Sequence, residues 1–199
     1  MDLDSRLYII AGCNGAGKTT ASYTILPEIL QCREFVNADE IAKGLSPFNP
    51  ESMAIKAGRL MVGRINELLG AKESFALETT LATRSYTSLV ANAHKLGYKV
   101  SLIYFWLQSP ELAELRVAKR VQEGGHNIAT NVLRRRYRSG INNLFNLYMP
   151  IVDYWMLFDN SQPSRVLIAE GGIGMETHVI DNVLYKQMQS AVDTTKPQR

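Results

Sequence analysis

Eight residues near the start of the chain, Gly12-Cys13-Asn14-Gly15-Ala16-Gly17-Lys18-Thr19, carry the spacing G-x-x-x-x-G-K-[ST]. Glycines in such a loop let the backbone curl so that successive N–H groups converge on a β-phosphate, and the following helix adds its dipole. A lysine at this position reaches the β- and γ-phosphates, and the hydroxyl next to it is placed to bind Mg²⁺. Lys18 and Thr19 take those roles, and Thr20 completes the nucleotide-binding stretch. The apolar run Leu7-Tyr8-Ile9-Ile10 before the loop and a helical stretch after it supply the required strand–loop–helix setting. The expected cofactors are ATP and Mg²⁺.

Three carboxylates follow short apolar runs: Asp39 after Phe35-Val36-Asn37-Ala38, Glu78 after Phe75-Ala76-Leu77, and Glu170 after Val166-Leu167-Ile168-Ala169. An open parallel sheet places its ligands at the carboxyl ends of its strands. Each of the three is therefore a candidate metal-shell acid or a base for an attacking hydroxyl, or a strand end that simply meets water. The basic residues are unevenly spread. Arg116, Lys119, Arg120, Arg134, Arg135, Arg136 and Arg138 stand against Glu123 alone in one window. Seven positive minus one negative gives +6 there, in a chain whose net charge is +3. Arg116 and Arg120 are four apart, share a helix face and can grip one phosphate. Arg134, Arg135 and Arg136 cannot all face one ligand, because successive helical residues turn by about 100°. His126, after Gly124-Gly125, either meets phosphate or caps a helix.

These groups need a scaffold, and the pattern supplies one. Strands are expected around Leu7–Ile10, from Phe35 to Asp39, over 74–77, over 98–107 and over 165–169. Helices are expected from the phosphate loop to about Leu30, from Pro50, over 84–96, from Ser109-Pro110 to Gly124, over 130–148 and over 178–191. Such alternation predicts an α/β fold of the P-loop type, a three-layer sandwich. Its sheet is five-stranded and mainly parallel, with helices on both faces and an Arg-rich helical lid. The whole chain, 1–199, reads as one P-loop kinase domain with the lid at about 116–138.

Composition limits the partners. Of the 199 residues, 46% are hydrophobic and 21% charged, which excludes a disordered or fibrous chain. No apolar run reaches the roughly 18 residues a membrane helix needs. The polar, acidic start shows no signal peptide, and two cysteines cannot build a disulfide framework. A cytoplasmic protein without a membrane partner is expected. No L-S-G-G-Q-like signature and no N-K-x-D guanine motif occurs, and the chain is too short for a helicase core. The compact kinases remain, in which a lid carrying arginines closes over ATP and a small acceptor. The basic window lacks exposed aromatic platforms apart from Tyr137, which argues against nucleic acid.

Four blocks together resemble the zeta toxin family, and more narrowly its stand-alone bacterial branch. They are Ala11 to Thr20; Phe35-Val36-Asn37-Ala38-Asp39-Glu40-Ile41; Glu78-Thr79-Thr80 with Arg84; and Gly124-Gly125-His126-Asn127-Ile128 followed by Arg135-Arg136-Tyr137. The resemblance runs from about Leu7 to Gly171. It implies a kinase that moves the ATP γ-phosphate onto a sugar hydroxyl of UDP-N-acetylglucosamine or a related UDP-sugar. It further implies that Asp39 deprotonates that hydroxyl and that Glu78, with Thr79 and Arg84, holds the acceptor. Lid arginines, Arg116 and Arg120, would neutralise the moving phosphoryl group, with His126, Arg135 and Arg136 as further substrate contacts. An antitoxin protein is the implied partner. The competing expectation is an ATP-binding switch or ATPase that acts through a protein or nucleic-acid partner.

Overall fold

The computed structural model describes residues 5–125 and 127–192; His126, expected at the site, lies outside the described residues. Strand β1 (Arg6–Gly12) sits at the sheet centre, and Leu7 to Ala11 are buried on both faces. The chain continues through α1 (Lys18–Thr24), whose end widens into a π turn (Ile25–Ile29), to β2 (Glu34–Val36) and α2 (Ala38–Leu45). A 3₁₀ turn (Pro50–Met53) leads into α3 (Ala54–Ala71), followed by β3 (Phe75–Thr79), α4 (Tyr86–Lys95) and β4 (Lys99–Trp106). Helices α5 (Pro110–Gln122) and α6 (Thr130–Asn143) precede β5 (Tyr154–Asp159), β6 (Val166–Gly172), β7 (Met175–Val179) and α7 (Asn182–Ser190).

The strand order is β2-β3-β1-β4-β5-β6-β7. The first five in that order are parallel, and β6 and β7 run antiparallel at one edge. The crossover from β1 to β2 runs toward one edge, and those from β2 to β5 run toward the other. Right-handed crossovers in opposite directions put their helices on opposite faces, which makes three layers. The two-sided burial of β1 and of β4 agrees with this.

Four expectations need correction. The sheet has seven strands, not five. Strand β5 carries no apolar–polar alternation, since Tyr154-Trp155-Met156-Leu157-Phe158 is apolar throughout, so its period is invisible. The last helix starts at Asn182, not near His178, because Asp181 caps it by accepting from the Val183 and Leu184 N–H groups at 3.0 Å. The residues just before it pair as strand β7 instead. Pro50 opens a 3₁₀ turn before the long helix, and an unexpected helix, α2, follows β2. The cap at Ser109 forms as its sequence suggests, accepting from the Leu112 N–H at 3.2 Å. Among the described residues no helix is long and apolar enough to cross a membrane.

Candidate active site

The connections of β1 and β3 leave toward opposite faces, and an open α/β sheet binds ligands at such a switch point. The phosphate loop follows β1, with its backbone pressed on its neighbours. Gly12 has φ +141°, and a Cβ there would lie 2.2 Å from the Phe105 carbonyl oxygen of β4. Gly17 has φ +76°, and a Cβ there would stand 2.8 Å from Asn160 Nδ2. That same amide donates to the Ala16 carbonyl at 2.7 Å, so the end of β5 anchors the loop. Both positions therefore demand glycine, for the left-handed backbone and for space.

Lys18 is buried under the loop, with Nζ 3.0 Å from the Cys13 carbonyl and 3.5 Å from Glu78 Oε1. Glu78, in register with Ile10 on the adjoining strand, also accepts from the Thr19 hydroxyl at 2.7 Å and from Asn37 Nδ2 at 2.9 Å. Strand β2 ends at Val36, and Asn37 caps α2, its Oδ1 accepting from the Asp39 N–H at 2.9 Å. Asp39 thus projects from the first helical turn rather than from a strand end. It is exposed, and it lines a cavity of about 610 Å³ together with Lys18, Thr19, Glu78, Arg116 and Arg120.

The lid arginines separate into classes. Ala113, Arg116 and Val117 of α5 pack against Gly15, and Arg116 Nη2 donates to the Ser161 carbonyl at 2.9 Å. Arg120, one turn on, lines the same cavity with Glu123, Gly124 and Gly125. Arg134 is committed elsewhere, paired with Glu114 and, at 3.3 Å, with Glu111. Those two acids lie just before the basic window, so its charge is partly neutralised within the fold. Arg136 Nη1 reaches Asn14 Oδ1 at 3.4 Å, whereas Arg135 is exposed on another face. Tyr137, the one aromatic of that window, is buried. Its hydroxyl donates to the Leu107 carbonyl at 2.5 Å and accepts from Trp106 Nε1 at 3.1 Å, so it offers no stacking platform.

Other expectations meet different geometry. Arg84 is exposed at the head of α4 and does not line the cavity that Glu78 lines. Thr79 is turned to its own backbone, accepting from the Leu81 N–H at 3.1 Å. The cavity thus gathers Glu78 with the phosphate loop and not with Arg84. Glu170 sits on antiparallel β6, whose carboxyl end lies beside the start of β5, at the sheet edge remote from the loop. It accepts there from Tyr154, with His178 Nδ1 3.5 Å away, and takes no part in the site. Cys13 is buried in the loop, and burial pushes its thiol up to about 11 despite the opposing field of Lys18.

Asn37, Lys43, Asn160 and Ser161 join the site without having been expected. Asn37 was legible in principle, as a capping residue directly before Asp-Glu. Asn160 and Ser161 had no local signal, because strand β5 delivers them from far along the chain.

Mg²⁺ is ordinarily held by one or two carboxylates and hydroxyls plus substrate phosphates, with waters completing the shell. A hydroxyl and a carboxylate facing each other at the phosphate loop fit that requirement.

The sequence model of the family described as Zeta toxin matches residues 4–146. The chain belongs to the zeta toxin family. A Haemophilus influenzae protein described only as uncharacterized is 29% identical over 135 residues, 68% of this chain and 94% of that protein. Among solved structures, this family member resembles the AvrRxo1-ORF1:-ORF2 complex with ATP, at TM-score 0.75 and 18% identity, over 99% of this chain and 67% of that one. It also resembles the PezAT chromosomal toxin–antitoxin system of Streptococcus pneumoniae, at TM-score 0.68 and 16% identity, over 96% and 85% of the two chains. A gluconokinase from Sinorhizobium meliloti aligns at TM-score 0.51 and 15% identity, over 82% and 86%. At such identities these structures establish a shared fold.

Proposed function

We propose that this zeta toxin family member is a Mg²⁺- and ATP-dependent kinase that phosphorylates a hydroxyl of a small acceptor, UDP-N-acetylglucosamine or a related UDP-sugar. The observation that carries the reading is the convergence of Lys18, Thr19, Glu78 and Asp39 on one cavity with Arg116 and Arg120 above it. Lys18 holds the β- and γ-phosphates. Thr19 and Glu78 are the residues that would hold Mg²⁺, which supplies neutralisation of phosphate charge when bound. Asp39 takes the proton of the acceptor hydroxyl as that oxygen bonds to the γ-phosphorus. The bond from phosphorus to the β–γ bridging oxygen breaks, and ADP leaves. Arg116 and Arg120 stabilise charge on the transferring group, the chief protein contribution to phosphoryl transfer.

The acceptor side has support of its own. A second cavity of about 210 Å³, lined by Ala38, Asp39, Ala42, Lys43, Pro50 and others, shares Asp39 and Lys43 with the larger one. An acceptor approaching through it would present a hydroxyl to Asp39. The AvrRxo1 complex contains ATP, which supports ATP as donor, and the PezAT likeness supports an antitoxin protein as partner. The chain acts as one cytoplasmic kinase domain whose lid, about 116–138, closes during transfer.

The test is incubation with ATP and Mg²⁺ against UDP-sugars, free sugars, nucleosides and oligonucleotides, with products weighed by mass spectrometry. A gain of one phosphate on a UDP-sugar, absent with Lys18→Ala, is expected. Transfer to a different acceptor would refute the substrate. ATP turnover with no phosphorylated acceptor would favour the ATP-dependent switch.

A further inference from the structure

Asn37 is buried, yet both ends of its amide are spent on the site and neither on the core. Its Nδ2 donates to Glu78 Oε2 at 2.9 Å. Its Oδ1 accepts from the N–H groups of Asp39 at 2.9 Å and Glu40 at 3.4 Å. Without the side chain, the first turn of α2 would lose its cap, and Glu78 would lose an amide donor.

The other two groups holding Glu78 are Lys18 and Thr19. Both have work to do when nucleotide arrives: the ammonium turns to phosphate, and the hydroxyl oxygen turns to the metal. Asn37 has no such competing duty, so it stays on the carboxylate through that exchange. The same side chain fixes the turn from which Asp39 projects. We propose that Asn37 is a positioning residue that couples the metal end of the phosphate site to the acceptor base, aiming Glu78 with one end of its amide and Asp39 with the other.

The inference rests on the kinase reading for its catalytic consequence, but its Glu78 half has a readout that needs no acceptor. Serine is as good a helix cap as asparagine, but its hydroxyl is too short to span from the α2 cap to Glu78. Asn37→Ser therefore separates capping from aiming. Nucleotide affinity is measured by calorimetry with and without Mg²⁺, kcat and KM by transfer assays, and folding by thermal melting.

Asn37→Ser is expected to melt within a few degrees of wild type and to bind nucleotide normally without metal. The gain in affinity that Mg²⁺ brings should fall by about threefold or more. At saturating ATP and acceptor, kcat should fall by about tenfold to a hundredfold, the range for one hydrogen bond to a charged group. An unchanged metal-linked gain together with an unchanged kcat would overturn the proposal. So would full activity in Asn37→Asp, which caps equally well but cannot donate to Glu78, because capping alone would then explain the residue. If wild-type protein phosphorylates no acceptor, the kinase reading fails. The metal-linked affinity of Asn37→Ser, normal or reduced, still decides whether Asn37 aims Glu78.

Discussion

The Thr19 hydroxyl donates to Glu78 Oε2 at 2.7 Å, joining the second residue of α1 to the end of β3. The pair closes the metal side of the phosphate site, and Lys18 Nζ lies 3.5 Å from the other oxygen of the same carboxylate. One side chain therefore holds both loop residues. A carboxylate so placed must release Lys18 when phosphate enters, and the two negative groups must then be reconciled by a cation.

Glu78→Gln tests that arrangement. The amide keeps the shape and can still accept from Thr19, but it loses the charge that a divalent cation answers. Nucleotide affinity without metal should hold or rise, since Lys18 is released more easily. The affinity gained on adding Mg²⁺ should drop by about tenfold, read by calorimetry with and without the metal. An unaltered gain would place the metal's protein ligands elsewhere.

Asp39→Asn should leave ATP affinity near wild type and cost about a hundredfold to ten-thousandfold in transfer, as loss of a positioned base does. The side chain is exposed at the cavity wall, and its backbone N–H, not its carboxylate, serves the α2 cap. Folding should therefore be unaffected. Single-turnover transfer at saturating acceptor is the measurement, and a near-normal rate would remove Asp39 from the chemistry.

Arg135 and Arg136 are adjacent, with unequal expected effects. Arg136 touches Asn14 of the phosphate loop at 3.4 Å, while Arg135 is exposed. Arg136→Ala should weaken ATP binding or transfer by about threefold to thirtyfold. Arg135→Ala should change either by less than about twofold. Steady-state kinetics on the two variants decide it, and equal losses would mean that the lid presents both.

What the sequence revealed divides along a physical line. The phosphate loop was plain, since its chemistry lies in consecutive residues whose glycines have no common alternative use. The five strands found, although not their bounds, came from apolar runs flanked by turns. Strand β5 stayed hidden because both its faces are apolar, and with it went Asn160 and Ser161, which reach the loop only through the sheet. Glu170 entered beside Glu78 as a candidate, the one of the three most apt to meet only water, because strand direction is not written in a short apolar run; antiparallel pairing sends it to the opposite end of the sheet. Arg134 looked available because its partners, Glu111 and Glu114, lie 23 and 20 residues before it in sequence. Their closeness depends on how α5 packs on α6, which no local pattern encodes.

Cys13 should resist alkylation. Burial in the loop pushes its thiol up to about 11, so almost none is thiolate at neutral pH, and the thiolate is the reactive form. Iodoacetamide at pH 7.5 should leave it unmodified over hours in the folded protein and label it rapidly in denaturant. Peptide mass spectrometry reads both. Fast labelling in the native state would mean that the loop opens readily.

The last prediction concerns the end of the sheet away from the nucleotide, where β4 and β5 begin. Asp153 accepts from the Val100 N–H and from His94 Nε2, each at 2.8 Å, and from Lys99 Nζ at 3.2 Å, tying α4, β4 and the entry to β5 together. Partial burial alone would raise its pKa, but these hydrogen bonds outweigh it and hold the carboxyl below its ordinary value. A folded-state value below the unfolded one means that the native protein binds the proton more weakly. The stabilisation is thus fully present above the unfolded carboxylate value of about 4 and is lost as pH falls through the lower folded value. Asp153→Asn keeps one acceptor oxygen but not the charge, and should cost on the order of 1 kcal/mol at pH 7. The gap between wild type and variant should narrow as pH drops from about 5 toward 3, because wild type then protonates the same group. Thermal melts across that range measure it. A gap that stayed constant with pH would show that the variant loses packing or backbone geometry rather than a charged acceptor.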